Sequence, residues 1–249
     1  MAEERSLDVG TLLNRLTEAS PSWLIWKNVD SALSGAGDVD SVAPQREWPS
    51  AVEVFTAWAA DAGLRPVIVC RHLPGALFLV ACDQAAKRLV ELDVYSHLVL
   101  RGRAYVAPEE LASLTQIDPR GFRRLRPGAE GLFLLLASTA SDKRLRELLD
   151  SDPGGASQAA ALFGRFSRAA LLCADATVRD RRNRWAMTRW KLGALAGVAR
   201  APRLACSRLF FGLGRGSGCP VIAALAAGRR IPPEATTWLA DVRRTHPIV

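Results

Sequence analysis

Between residues 66 and 96, three apolar runs of strand length (66–70, 76–82 and 88–96) follow one another across two brief turns, Pro74-Gly75 and residues 83–86. Turns that short leave no room for a crossover helix, so the three runs are expected to pair as an antiparallel meander. A chain holding such a meander must cover at least one of its faces with helices or further strands. The segments upstream suit that purpose. Leu12, Leu13 and Leu16 recur at helical spacing within residues 7–19. Trp23-Leu24-Ile25-Trp26 reads as a buried strand, residues 35–37 as a turn, and residues 38–43 as a second strand. Glu47-Trp48-Pro49 opens a helix running to about residue 62, with Val52, Phe55, Ala59 and Ala62 on one face and Gly63 as its left-handed cap. A further short strand is expected within residues 98–105.

Beyond residue 115 the pattern changes. Residues 130–137, 142–149, 157–177 and 179–198 are rich in Ala, Leu and Arg or have helical period, with 152–155 (Asp-Pro-Gly-Gly) as a loop. The expected fold class is therefore α/β (α+β). It comprises a small mixed-sheet unit over residues 1–115 and a mostly helical unit over 116–249, divided near Asp118-Pro119-Arg120-Gly121.

Charge divides the chain at the same place. Residues 1–120 carry 11 Lys/Arg against 16 Asp/Glu, and residues 121–249 carry 22 against 9, so the two parts are suited to different partners. A basic half attracts phosphate-rich ligands or nucleic acid, or else merely solvates its helices. Arg179, Arg181, Arg182, Arg184, Arg189 and Lys191 interleave with Trp185 and Trp190, a composition that can grip a phosphate backbone and stack on bases. The competing reading is a core face of Trp185 and Leu192 with solvated arginines opposite. Arg120, Arg123, Arg124 and Arg126 are placed by sequence near the domain junction, as candidate phosphate contacts.

The 5 cysteines show no C-x-x-C pair, and the 3 histidines have no ligand spacing with them, which argues against a disulfide framework and a zinc site. A mean hydropathy of +0.06 fits a packed core. The longest charge-free runs fall short of the ~20 residues that span a bilayer, and the acidic start does not resemble a signal peptide. A cytoplasmic protein with no membrane span is expected. The glycines of residues 212–218 lack the Gly-Lys-Ser/Thr ending of a phosphate loop and read as a connector.

Chemistry concentrates in carboxylates. In Asp38-Val39-Asp40 the strand period places both aspartates on one face and turns Val39 into the core. Two such charges repel unless protons or a cation intervene, and an all-oxygen ligand set favours magnesium. In Glu91-Leu92-Asp93-Val94-Tyr95 the same alternation puts Glu91, Asp93 and Tyr95 on one face, and Asp93 supplies a third carboxylate from another strand. It is also a candidate to take a proton from an attacking hydroxyl.

Trp26-Lys27-Asn28, Gly37-Asp38-Val39-Asp40, an intervening helix and two strands, and then Glu91-Leu92-Asp93 resemble the polymerase-beta-like nucleotidyltransferase superfamily over residues 20–105. The resemblance implies a nucleotidyltransferase-type sheet in which Asp38, Asp40 and Asp93 hold magnesium. It implies transfer of a nucleoside monophosphate from a nucleoside triphosphate to an acceptor hydroxyl, with pyrophosphate released. Lys27 and Asn28 stand where the family has Gly-Ser or Gly-Gly, as the residues that would meet the triphosphate. Ser41 interrupts the family's apolar run after the second aspartate. Two alternatives stand beside this reading: a catalytically degenerate binding module on the same fold, and a nucleic-acid-binding protein acting through its basic half.

Overall fold

The computed structural model describes residues 8–34, 37–71, 73–83, 88–100, 104–137, 142–174, 188, 201–206 and 221–225. In chain order the first elements are α1 (Val9–Ala19), β1 (Leu24–Lys27), α2 (Val29–Leu33), β2 (Val39–Val42), α3 (Trp48–Asp61), β3 (Val67–Arg71), β4 (Ala76–Asp83) and β5 (Arg88–Tyr95). There follow β6 (Leu98–Leu100), β7 (Ala104–Val106), α4 (Pro108–Leu111), β8 (Thr115–Ile117), β9 (Arg123–Leu125), α5 (Pro127–Ala137), α6 (Asp142–Ser151), α7 (Pro153–Ala161), α8 (Ser167–Ala174) and β10 (Val221–Leu225). Described residues within 1–96, 117–123 and 207–249 form one compact unit, and those within 97–116 and 124–206 form another. Near the division expected at residue 115, the segment 117–123 thus belongs to the first unit and the chain on both sides of it to the second.

The first unit is built on a mixed sheet in which β10, β3, β4, β5, β2 and β1 lie side by side in that order. The meander is present: β3 pairs antiparallel with β4, and β4 with β5. β2 joins the other side of β5 in parallel, and β1 returns antiparallel to β2. One face of the sheet is the main core. Ile25, Val39, Leu77, Leu79, Leu92 and Val94 interlock there with Leu12, Leu13 and Leu16 of α1 and with α3. Helix α3 buries Trp48, Ala51, Phe55, Trp58 and Ala59. Its inward stripe is therefore turned from the expected one, leaving Ala62 exposed, because the two indole rings bring more apolar area than Val52 and Ala62. Gly63 closes the helix at φ +74°, the left-handed conformation that glycine adopts without steric cost.

Three sequence expectations need correction, and one helix stands where none was expected. The single strand expected within 98–105 is a hairpin of β6 and β7. Residues 152–155 begin α7, with the Asp152 carboxylate accepting the Gly155 N–H at 2.9 Å as its N-cap, so an Asp-Pro-Gly-Gly run marked a helix start. The short helix α2 was not expected. Residues 221–225, within the part expected to be mostly helical, pair antiparallel along β3.

In the second unit α5 is the central helix, packing against α6, α7 and α8. It is apolar nearly all round, as a helix enclosed on several sides must be. At Gly128 the backbone approach to α7 is so close that an added Cβ would stand 1.8 Å from the Asp152 carbonyl oxygen and 2.6 Å from the Ala156 nitrogen. Backbone atoms cannot swing aside as a side-chain end does. Gly128→Ala is expected to lower stability by about 2–3 kcal/mol through overpacking. A urea melt showing an unchanged midpoint would contradict this close approach.

Candidate metal centre

The face of the sheet opposite the α1–α3 core carries the carboxylates. The parallel register sets Asp40 beside Asp93, and the antiparallel register sets Phe78 beside Asp93 on its other side. Directly paired residues project to the same face, so Asp93 lies between a carboxylate and a phenyl ring. Val39 is turned into the core, leaving Asp38 and Asp40 to the other face. Asp38, Asp40 and Asp93 each offer a ligand atom, and these atoms lie within 4.8 Å of one another. Asp38 is exposed, whereas Asp40 and Asp93 are 2% and 5% exposed.

Burial in this acidic place raises the proton affinity of both buried carboxylates. Asp40 is pushed up to about 6, first by desolvation and further by Asp38, with Lys27 opposing. Asp93 is pushed up to about 9 by desolvation, then by Glu91 and Asp40. The Tyr95 hydroxyl donates to Asp93 Oδ2 at 2.9 Å. Asp93 Oδ1 is buried with no hydrogen-bond partner. A buried carboxylate oxygen without a donor is costly, and a cation is one of the few groups that would satisfy it. The all-oxygen donor set fits a hard divalent ion such as magnesium.

Lys27 reaches this site through a feature the sequence did not disclose. Ile25 pairs with Ser41 and Lys27 with Asp40, so Trp26 is the extra residue of a β-bulge. Without the bulge Trp26 would oppose Asp40; with it, the lysine is re-aimed at the carboxylate. Lys27 Nζ lies 2.9 Å from Asp40 Oδ2 and 5.0 Å from the Trp26 ring centroid. Asn28 takes the left-handed conformation (φ 59°, ψ 29°) that turns the chain from β1 into α2, and its side chain hydrogen-bonds Asp40. Ser41 also has a purpose here: its buried hydroxyl donates to the Asp93 carbonyl at 2.7 Å, joining β2 to β5.

The four arginines of residues 120–126 have partners inside the protein. Arg120 pairs with the buried Asp118 and with Asp30 of α2. Arg123 donates to the Ser20 and Trp23 carbonyls. Arg124 pairs with Glu130, and Arg126 with Asp152. These contacts account for them as structural residues instead of phosphate ligands. The Arg/Trp stretch at 179–191 (Thr188 apart), the glycines at 212–218, His72 and His246 lie outside the described residues. No helix among the described residues is long and apolar enough to cross a membrane. Comparison of the chain with protein-family models, curated proteins and solved structures found no match.

Proposed function

We propose that this protein is a magnesium-dependent nucleotidyltransferase, with Asp38, Asp40 and Asp93 as its metal-binding carboxylates. The observation that carries the reading is the meeting of three carboxylates within 4.8 Å around a buried, unpartnered Asp93 Oδ1. The order of elements supports it: strand, left-handed turn at Asn28, short helix, Asp-x-Asp strand, and a parallel neighbour bearing the third aspartate. Magnesium held there would neutralise charge on the phosphoryl oxygens and stabilise an in-line displacement at phosphorus. In that displacement an acceptor hydroxyl oxygen bonds to the α-phosphorus of a nucleoside triphosphate, and the bond to the bridging oxygen breaks to release pyrophosphate. Asp93, once magnesium has displaced its own proton, is the chain's candidate to take the hydroxyl proton.

Thermal stability measured with magnesium and each common ribonucleoside triphosphate tests this. A ligand bound only by the folded state contributes about 2.7 kcal/mol when present at a hundredfold excess over its dissociation constant. A magnesium-dependent rise in Tm with a triphosphate, absent in Asp38→Ala/Asp40→Ala, is expected, and pyrophosphate release then identifies acceptors. No rise with any triphosphate would sink the proposal.

The Lys27–Asp40 contact favours a second reading, a degenerate binding module in which lysine has replaced the metal. The two readings differ in what Lys27→Met does. If Lys27 gives up Asp40 to the metal and turns to phosphate, the variant binds magnesium several-fold more tightly and triphosphate more weakly. If Lys27 is a permanent counter-ion, the variant loses stability because buried Asp40 is left without its cation, and neither form responds to magnesium. Calorimetric titration of both proteins separates the two.

A further inference from the structure

We propose that Tyr95 is a positioning residue that gives this centre its preference for magnesium over calcium, by engaging one oxygen of Asp93 and leaving only the other for a cation. The inference rests on the metal-site reading above. It starts from the strand: Asp93 and Tyr95 are two residues apart on β5 and project to the same face. The Tyr95 hydroxyl donates to Asp93 Oδ2 at 2.9 Å, while Oδ1 is buried and unpartnered. The tyrosine ring is itself held, edge-on against Phe78 at 6.1 Å and 83°. Phe78 is the cross-strand partner of Asp93. The aspartate backbone is fixed from the other side by the Ser41 hydroxyl on its carbonyl at 2.7 Å. Side chain and main chain of Asp93 are thus both restrained, and the restraint assigns different duties to its two oxygens.

Those duties bear on which ion fits. Calcium takes six to eight oxygens and often both oxygens of one carboxylate, whereas magnesium demands near-octahedral geometry with fewer protein ligands. A carboxylate with Oδ2 engaged by a phenol presents a single donor, which suits magnesium and denies calcium its chelating pair. Partners that orient a metal ligand in this way typically contribute 10–100-fold to metal affinity.

Tyr95→Phe removes one oxygen atom and keeps the ring against Phe78, so folding should be retained, as circular dichroism and a melt will verify. Magnesium and calcium dissociation constants are then measured by calorimetry for wild type, Tyr95→Phe and Asp93→Asn. In Tyr95→Phe magnesium is expected to weaken about 10-fold while calcium is unchanged or tighter. Both ions compete with the same protons, so their ratio is insensitive to carboxylate titration, and a merely structural loss would weaken both alike. A ratio equal to that of wild type, with Asp93→Asn binding neither ion, would overturn the role of Tyr95 alone. Wild-type binding of both ions by Asp93→Asn would remove the metal centre and this inference together.

Discussion

Asp93→Asn is expected to make the metal-free protein more stable at neutral pH while removing its response to magnesium. The folded state holds a proton on Asp93 up to about pH 9, whereas the unfolded chain releases it near the ordinary aspartate value. The folded form therefore binds more protons than the unfolded form between about pH 4 and pH 9, and stability falls as pH rises through that window. Asparagine keeps the shape and an acceptor for the Tyr95 hydroxyl without the titration. Its advantage should be absent below about pH 4 and reach the order of 2 kcal/mol at neutral pH, a rise of roughly 4–8 °C in Tm. Magnesium should restore the wild type toward the variant. Its affinity for wild type should rise about tenfold per pH unit as one proton is displaced, and more steeply below pH 6, where Asp40 is also protonated. Melting curves of both proteins across pH 4–9, with and without magnesium, test each part. A wild type as stable as Asp93→Asn at pH 8 without metal would show that Asp93 carries no such strain.

Glu130→Ala is expected to be the most destabilising single change in the second unit. Glu130 is 1% exposed in α5, and its two oxygens separately meet Arg124 at 2.9 Å and Arg144 at 3.0 Å. The Arg124 side chain is itself only 13% exposed. Removing the carboxylate takes from that guanidinium a buried counter-charge at 2.9 Å, which costs about 3–5 kcal/mol. The corresponding fall in Tm is roughly 6–20 °C. Arg144→Ala should cost far less, because that side chain is 38% exposed and water can replace it. Denaturant melts of the two variants compare them directly; equal losses would mean that the Arg124 contact is not what matters.

Both predictions draw on features with very different legibility in the sequence. The meander, the first helix, the left-handed cap at Gly63 and the facing of Asp38 and Asp40 away from Val39 follow from periods of two and 3.6 and from glycine chemistry. Asn28 takes the left-handed conformation that asparagine tolerates. Glu130, by contrast, reads in the sequence as one more charge in a helical segment. The carboxylate itself carries no sign of burial; the sign lies in its setting, a Gly-Leu-Phe-Leu-Leu-Leu run apolar all round. The arginines of residues 120–126 likewise looked available to phosphate until their partners, some about a hundred residues away, came into contact.

The sequence by itself determined which residues alternate, where β1 to β5 and the helices α1 and α3 lie, and that three aspartates stand at strands able to present them. Those properties depend on neighbours a few positions apart, where steric and hydrogen-bonding preferences act directly. Only the tertiary structure decided that β2 lies parallel to β5 with Asp40 beside Asp93, and that a bulge at Trp26 turns Lys27 onto Asp40. It also decided that Tyr95 engages one oxygen of Asp93 and leaves the other bare. Register and bulges are selected by the burial of whole strand faces, and a shift of one residue would turn every side chain to the wrong side. That selection is made by residues remote in the chain, and no local pattern records it.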